Sequence, residues 1–132
     1  MRLRGIVALA VGVTPVFLMT GCVQGEQFAL FDQESSSSDR LPSGLPGYAT
    51  AGFNTDTVRL AGNDDDVQFF IAQGVDDQIC ALAFVDASQW VSSCGSAPLN
   101  FSTGDLAARV SVDDAETPAG WRAVSENVSV RQ

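Results

Sequence analysis

The stretch "CALAFVDASQWVSSC", residues 80–94, constrains the fold more than any other. It holds two β-rich runs broken at Asp86-Ala87-Ser88. A three-residue loop there sets Val85 against Gln89, and counting outward pairs Phe84 with Trp90, Leu82 with Ser92 and Cys80 with Cys94. From a hydrogen-bonded closing pair, alternation makes the last three sites non-hydrogen-bonded. Their Cα atoms lie about 4.5 Å apart, close enough for a disulfide. The same register gives an aromatic cross-strand pair, Phe84 on Trp90, worth up to about 1 kcal/mol. The last loop position prefers Gly or Asn, and Ser88 stands there. Closing the loop through sulfur contributes about 3 kcal/mol, which counts in a domain with a small core.

Other segments read the same way. Val58 and Leu60 alternate with Thr57 and Arg59, "VQFFIA" puts Val67, Phe69 and Ile71 on one face, and "GNDDD" between them is turn chemistry. Val110 and Val112 alternate with Arg109 and Ser111, "AETPAG" is a loop, and "WRAVSENVSV" supplies the last strands. Over Asp105–Arg109 a helix competes with a strand, since Thr103 can cap it and Leu106–Ala108 favour it. The expected class is mainly β: a small antiparallel sheet of hairpins with one disulfide, preceded by an N-terminal signal helix and a flexible linker.

The chain opens with a basic "MRLRG", an apolar "IVALAVGVTPVFL" and a small-residue exit "MTGC", the three regions of a secretory signal. The 14 residues Gly5–Leu18 reach about 21 Å as a helix, short of the roughly 30 Å hydrocarbon core. Met19, Thr20 and Gly21 before Cys22 resemble the lipobox of bacterial lipoproteins, with Met19 in the place of the favoured Leu. The resemblance implies cleavage before Cys22, a diacylglyceryl thioether on its sulfur and acylation of the new amino terminus. At about 0.8 kcal/mol per buried CH₂, two or more chains anchor durably in a bilayer. Lipidation of Cys22 leaves Cys80 and Cys94 as an even pair in a compartment where disulfides persist.

Residues 23–47, with a Ser run, acids and two Leu-Pro steps, read as linker; treated as flexible, they span roughly 25–30 Å. Within them Phe28, Leu30 and Phe31 form an apolar cluster able to dock on the domain or dip into headgroups. The expected organisation is therefore signal peptide 1–21, lipidated Cys22 and linker 22–47, and domain 48–132. Wider still, "DTVRL", "IC", "WVSSC" and "GWRAVSENVSV" in that order resemble small secreted or lipid-anchored actinobacterial proteins, a resemblance that carries no activity.

Loss of residues 1–21 removes Arg2 and Arg4 and leaves five Arg against 16 acids, a net charge of −11. Such a surface is repelled by nucleic acid and by anionic membranes. With neither Lys nor His in the chain, the familiar nucleophile–base pairs and Cys/His zinc sites are unavailable, so no catalytic residue and no cofactor is assigned. Paired carboxylates remain: Asp64, Asp65 and Asp66 as weak candidates for a metal such as Ca²⁺, Asp76 with Asp77, and Asp113 with Asp114. All fall where turns are expected. Trp90, Trp121, Tyr48 and Phe70 are the residues for an aromatic binding face, although a small core has first claim on aromatics. The favoured function is a monomeric, non-enzymatic module on the outer face of the cell membrane, contacting the bilayer through Cys22 and binding an envelope protein, peptide or wall component. The alternatives are a carboxylate-dependent enzyme acting on cell-wall carbohydrate, and an envelope-enzyme inhibitor using the Asp86–Ser88 tip.

Overall fold

A computed structural model describes Gly12 and residues 28–132. The expected signal segment and Cys22 lie outside the described residues. The fold is mainly β and carries the Cys80–Cys94 disulfide, with its hairpins divided between two four-stranded antiparallel sheets. The first sheet runs β1 (Arg59–Asp64), β2 (Val67–Gln73), β3 (Ile79–Asp86), β4 (Gln89–Gly95) in spatial order. The second contains β5 (Leu99–Thr103), β6 (Leu106–Val110), β7 (Arg122–Ala123) and β8 (Val128–Arg131), in the order β5-β6-β8-β7.

Turn chemistry sets the hairpins. Asp76 and Asp77 both take positive φ, 52° and 61°, as a type I′ turn requires, and Asp is among the residues that tolerate that region. Gly104, at φ 55°, opens the two-residue turn joining Thr103 to Leu106. The open choice over Asp105–Arg109 is resolved as strand. Ala108 and Val110 pair with Val130 and Val128 of β8, and all four are buried. A helix of five residues cannot match that burial, because its nucleation cost is spread over too few bonds.

In the second hairpin the structure pairs Cys80 with Cys94, Leu82 with Ser92 and Phe84 with Trp90. The Cα atoms of the cysteines are 4.0 Å apart. The loop itself differs from the expectation. Asp86 faces Gln89 across a two-residue turn, and the extra residue is a bulge at Val85. Ser88 N–H donates to Asp86 Oδ1 at 2.7 Å, an Asx turn that avoids the left-handed conformation Ser88 would otherwise need.

The sheets face each other across one core. Phe69, Ile71, Ile79, Ala81 and Ala83 of the first meet Leu99, Ala108, Val110, Val128 and Val130 of the second. Where the sheets draw together at the β1 edge, a Cβ on Gly62 would lie 3.0 Å from Val124 Cγ1, so any larger residue would have to push the Val124 side chain aside. The other face of the first sheet is apolar too: Phe70, Ala72, Cys80 and Leu82 are buried there under Phe53 and Val58, with Leu41 and Leu45 packed against them.

That cover comes in part from the segment read as linker. From Phe28 onward the segment expected as linker is part of the fold. Phe28, only 6 % exposed, sits in the inter-sheet core, and Leu30 and Phe31 pack against it. The chain then makes 3-10 turns at Ala29–Asp32 and Ser37–Asp39, crosses the β1 edge and covers the outer face before two more at Gly47–Thr50 and Thr55–Thr57. Composition suggested a tether because apolar residues are sparse in this segment. Those present are placed where an otherwise open sheet face and core edge need them.

Two outcomes test this architecture. Phe28→Ala loses about 3 kcal/mol or more in chemical denaturation, in the range for a buried Phe, and trypsin then cuts after Arg40 in the native protein, where the parent resists. The Cys80→Ala/Cys94→Ala double variant loses about 3 kcal/mol in the same assay, while non-reducing peptide mapping of the parent finds the two cysteine peptides joined.

Candidate functional site

Of the carboxylates singled out above, Asp64 and Asp113 are drawn into structural bonds, while Asp65, Asp66, Asp76, Asp77 and Asp114 stand exposed at turns. At the end of β1, Asp64 accepts from both terminal nitrogens of Arg122, at 3.0 Å each, in a two-pronged pair bridging the sheets. This bond raises the Arg122 pKa, helped by the charges of Asp64 and Asp65. Asp65 holds positive φ in the turn to β2. The counter-ion at this acidic turn is therefore an arginine. Among the described residues no group of three His, Cys, Asp or Glu side chains is arranged to hold a metal ion.

Asp113 and Asp114 hold a junction. Asp113 accepts from Ala29 N–H through Oδ2 and from the Asn127 side-chain amide through Oδ1, both at 2.8 Å. Asn127 also donates to Ser111 O at 3.0 Å. Asp114, at φ 61°, donates its N–H to Glu126 Oε1 at 2.7 Å. Two loops, the one after β6 and the one before β8, are tied to the chain at Ala29 here.

The four aromatic candidates do not share a face. Phe70 is core. Trp90 lies on the outer side of the first sheet, where Tyr48, 77 % exposed, meets it at 5.9 Å between ring centroids. Phe84 occupies the site across from it and packs on the same cluster. Trp121 belongs to the second sheet's side, with the Arg131 guanidinium 4.9 Å from its ring centroid, within cation–π range.

A groove of about 730 Å³ opens between the sheets at the end carrying the β3–β4 and β5–β6 turns. Val67, Val85, Gln89, Thr103, Leu106 and Gln132 are among its walls, and Asp105 is the carboxylate lining it among the described residues. Trp90 contributes to its rim. Side chains alternate along β4, so Val91 points into the inter-sheet core while Trp90 points to the outer face. The groove is the open end of the sandwich rather than an aromatic platform. Asp86, Ala87 and Ser88 stand exposed beside it.

Sequence reasoning missed the groups that fix the strap formed by residues 28–58. Arg59, 8 % exposed, donates through Nε and a terminal nitrogen to Gln33 O at 3.2 and 2.8 Å, and through its other terminal nitrogen to Val58 O at 2.9 Å. A buried guanidinium is thereby satisfied by carbonyls. Asp39 accepts from Leu60 N–H at 2.8 Å and from Ser36 N–H at 2.7 Å, so an edge-strand amide is paired by a side chain. The available signal was a single Arg in an otherwise alternating strand, which does not reveal its partners.

Comparison with protein-family models, with curated proteins and with solved structures returned no match.

Burial works against ionisation of Asp39, but the amides of Ser36 and Leu60, the Ser36 hydroxyl and the Arg59 charge outweigh it and hold its carboxyl below the ordinary value. A depressed folded value means that its contribution is complete above the unfolded pKa of about 3.9 and is lost as pH falls through the folded one. Followed by NMR, the Leu60 amide resonance therefore titrates with a midpoint below the ordinary aspartate range. In Asp39→Asn that titration is gone.

Proposed function

We propose that this protein is a cell-envelope lipoprotein, anchored through Cys22, whose β domain is a non-enzymatic interaction module. The observation that carries the reading is the Cys80–Cys94 bond. The chain has three cysteines; pairing two within the fold leaves Cys22, directly after a signal-like segment, as the thiol available to a lipid. A structural disulfide also fits an oxidising compartment outside the cytosol.

The fate of the acids supports binding over catalysis. Glycoside hydrolysis by carboxylates needs two that face each other across roughly 5–10 Å of open cleft. Asp39, Asp64 and Asp113 are instead occupied by amides or by Arg122, and Asp105 is the carboxylate on the inter-sheet groove among the described residues. With no His or Lys to act as base, the module's work is recognition by its surface. Its partner class is an envelope protein, peptide or wall component.

Intact-mass analysis of the membrane fraction tests the anchor. The parent is expected to lack residues 1–21 and to exceed the mass of the remaining polypeptide by a diacylglyceryl and an acyl group, whereas Cys22→Ala carries no lipid and leaves the membrane fraction. An unshifted mass for the parent, or a Cys22 thiol open to alkylation, overturns the reading.

A further inference from the structure

The point where the chain enters the fold is fixed. Phe28 is seated in the inter-sheet core, and the N–H of the next residue, Ala29, is held by Asp113. Asp113 is bonded to Asn127, whose backbone carbonyl takes Ser111 N–H at 2.9 Å. Entry is therefore at the end of the sandwich where β6 stops at Val110 and β8 starts at Val128. The β2–β3 turn, Val75–Gln78, lies at this end as well. Gln33 O is bonded to Arg59, the first residue of β1, and Arg59 pairs with Ile71 near the end of β2. The turns at Asp65–Asp66, Ala87–Ser88 and Gly104–Asp105 follow the far ends of β1, β3 and β5, so they occupy the opposite end.

Six peptide steps separate Cys22 from Phe28. Fully extended at about 3.3–3.6 Å each, they reach about 20 Å. The seven residues of β2 alone extend about 23 Å at roughly 3.3 Å per residue, before the turns are added. Lowering the far turns onto the bilayer would lift Phe28 by more than the six steps can span.

Resting on the Cys22 reading, we infer that the domain stands with its Phe28 end against the membrane and holds the Asp65–Asp66, Ala87–Ser88 and Gly104–Asp105 turns away from it. Partners in the envelope then meet the far end, with the inter-sheet groove and the Asp86–Ser88 tip. The near end carries Asp76, Asp77, Asp113, Asp114 and Glu116. Their repulsion from anionic lipid acts within a Debye length of about 8 Å and opposes tight contact, so the short tether rather than charge makes this end the one nearest the bilayer.

The absence of lysine supplies a clean probe. Val75→Lys and Ala87→Lys, both at exposed turn positions, each place one side-chain amine at opposite ends of β3. The full lipoprotein variants are labelled with an amine-reactive donor dye in vesicles of phosphatidylcholine and phosphatidylglycerol containing a headgroup-labelled acceptor lipid, and the lysine-free parent gives the labelling background. Energy transfer is expected to be several-fold stronger from position 75 than from position 87. Twenty Gly/Ser residues inserted between Gln27 and Phe28 should erase the difference. Equal transfer from the two positions of vesicle-bound protein, or stronger transfer from position 87, overturns the orientation while the anchor stands. Protein that fails to bind the vesicles overturns both.

Discussion

The first sheet is apolar on both faces, and this condition governs the rest of the molecule. One face meets the second sheet; the other, with Phe70, Ala72 and Leu82, would be open to water without the strap of residues 28–58. Burying Phe70 or Leu82 is worth about 1.5–3 kcal/mol each relative to exposure, so the strap is as much a part of the domain as either sheet. Its attachment is polar at the β1 edge, at Asp113 and at Gln73, and apolar over the sheet face. Arg59 and Asp39 satisfy backbone groups of the crossing chain and of the edge strand, and Phe28 closes the core at its end. An edge strand with unpaired amides invites pairing with another chain, and a crossing strap removes that opportunity.

The disulfide belongs to the same arrangement. Cys80 is fully buried on the strap-covered face, and a Cβ at Gly74 would lie 2.8 Å from its sulfur, so the neighbouring turn can close over the bond only with glycine there. Its partner Cys94 is exposed, so the staple is covered on the Cys80 side alone, away from the groove and the exposed hairpin tip.

Acidity is used in two ways. Asp39, Asp64, Asp86, Asp113 and Glu126 serve as acceptors, mostly for backbone amides, which suits a chain with few cations. Asp65, Asp76, Asp77 and Asp114 occupy positive φ at turns, where a short polar side chain is tolerated. Asp32, Glu34, Asp56, Asp66, Asp105 and Glu116 fall outside both uses and are exposed, so part of the high acid count goes into turn and loop structure and part faces solvent.

Local pattern determined the β class, the hairpins and the cysteine register, because alternation and turn residues act over a few positions and a one-residue slip would move every side chain to the wrong face. It also determined the charge and the lack of His and Lys. Tertiary structure decided the rest: the division into two sheets, the strand at Leu106–Val110, the bulge at Val85, and the docking of residues 28–47. Each depends on contacts between residues far apart in sequence. Ala29 with Asp113 and Asp64 with Arg122 are bonds that no local window contains, and a sparse apolar segment reads as tether until the surface it covers is known.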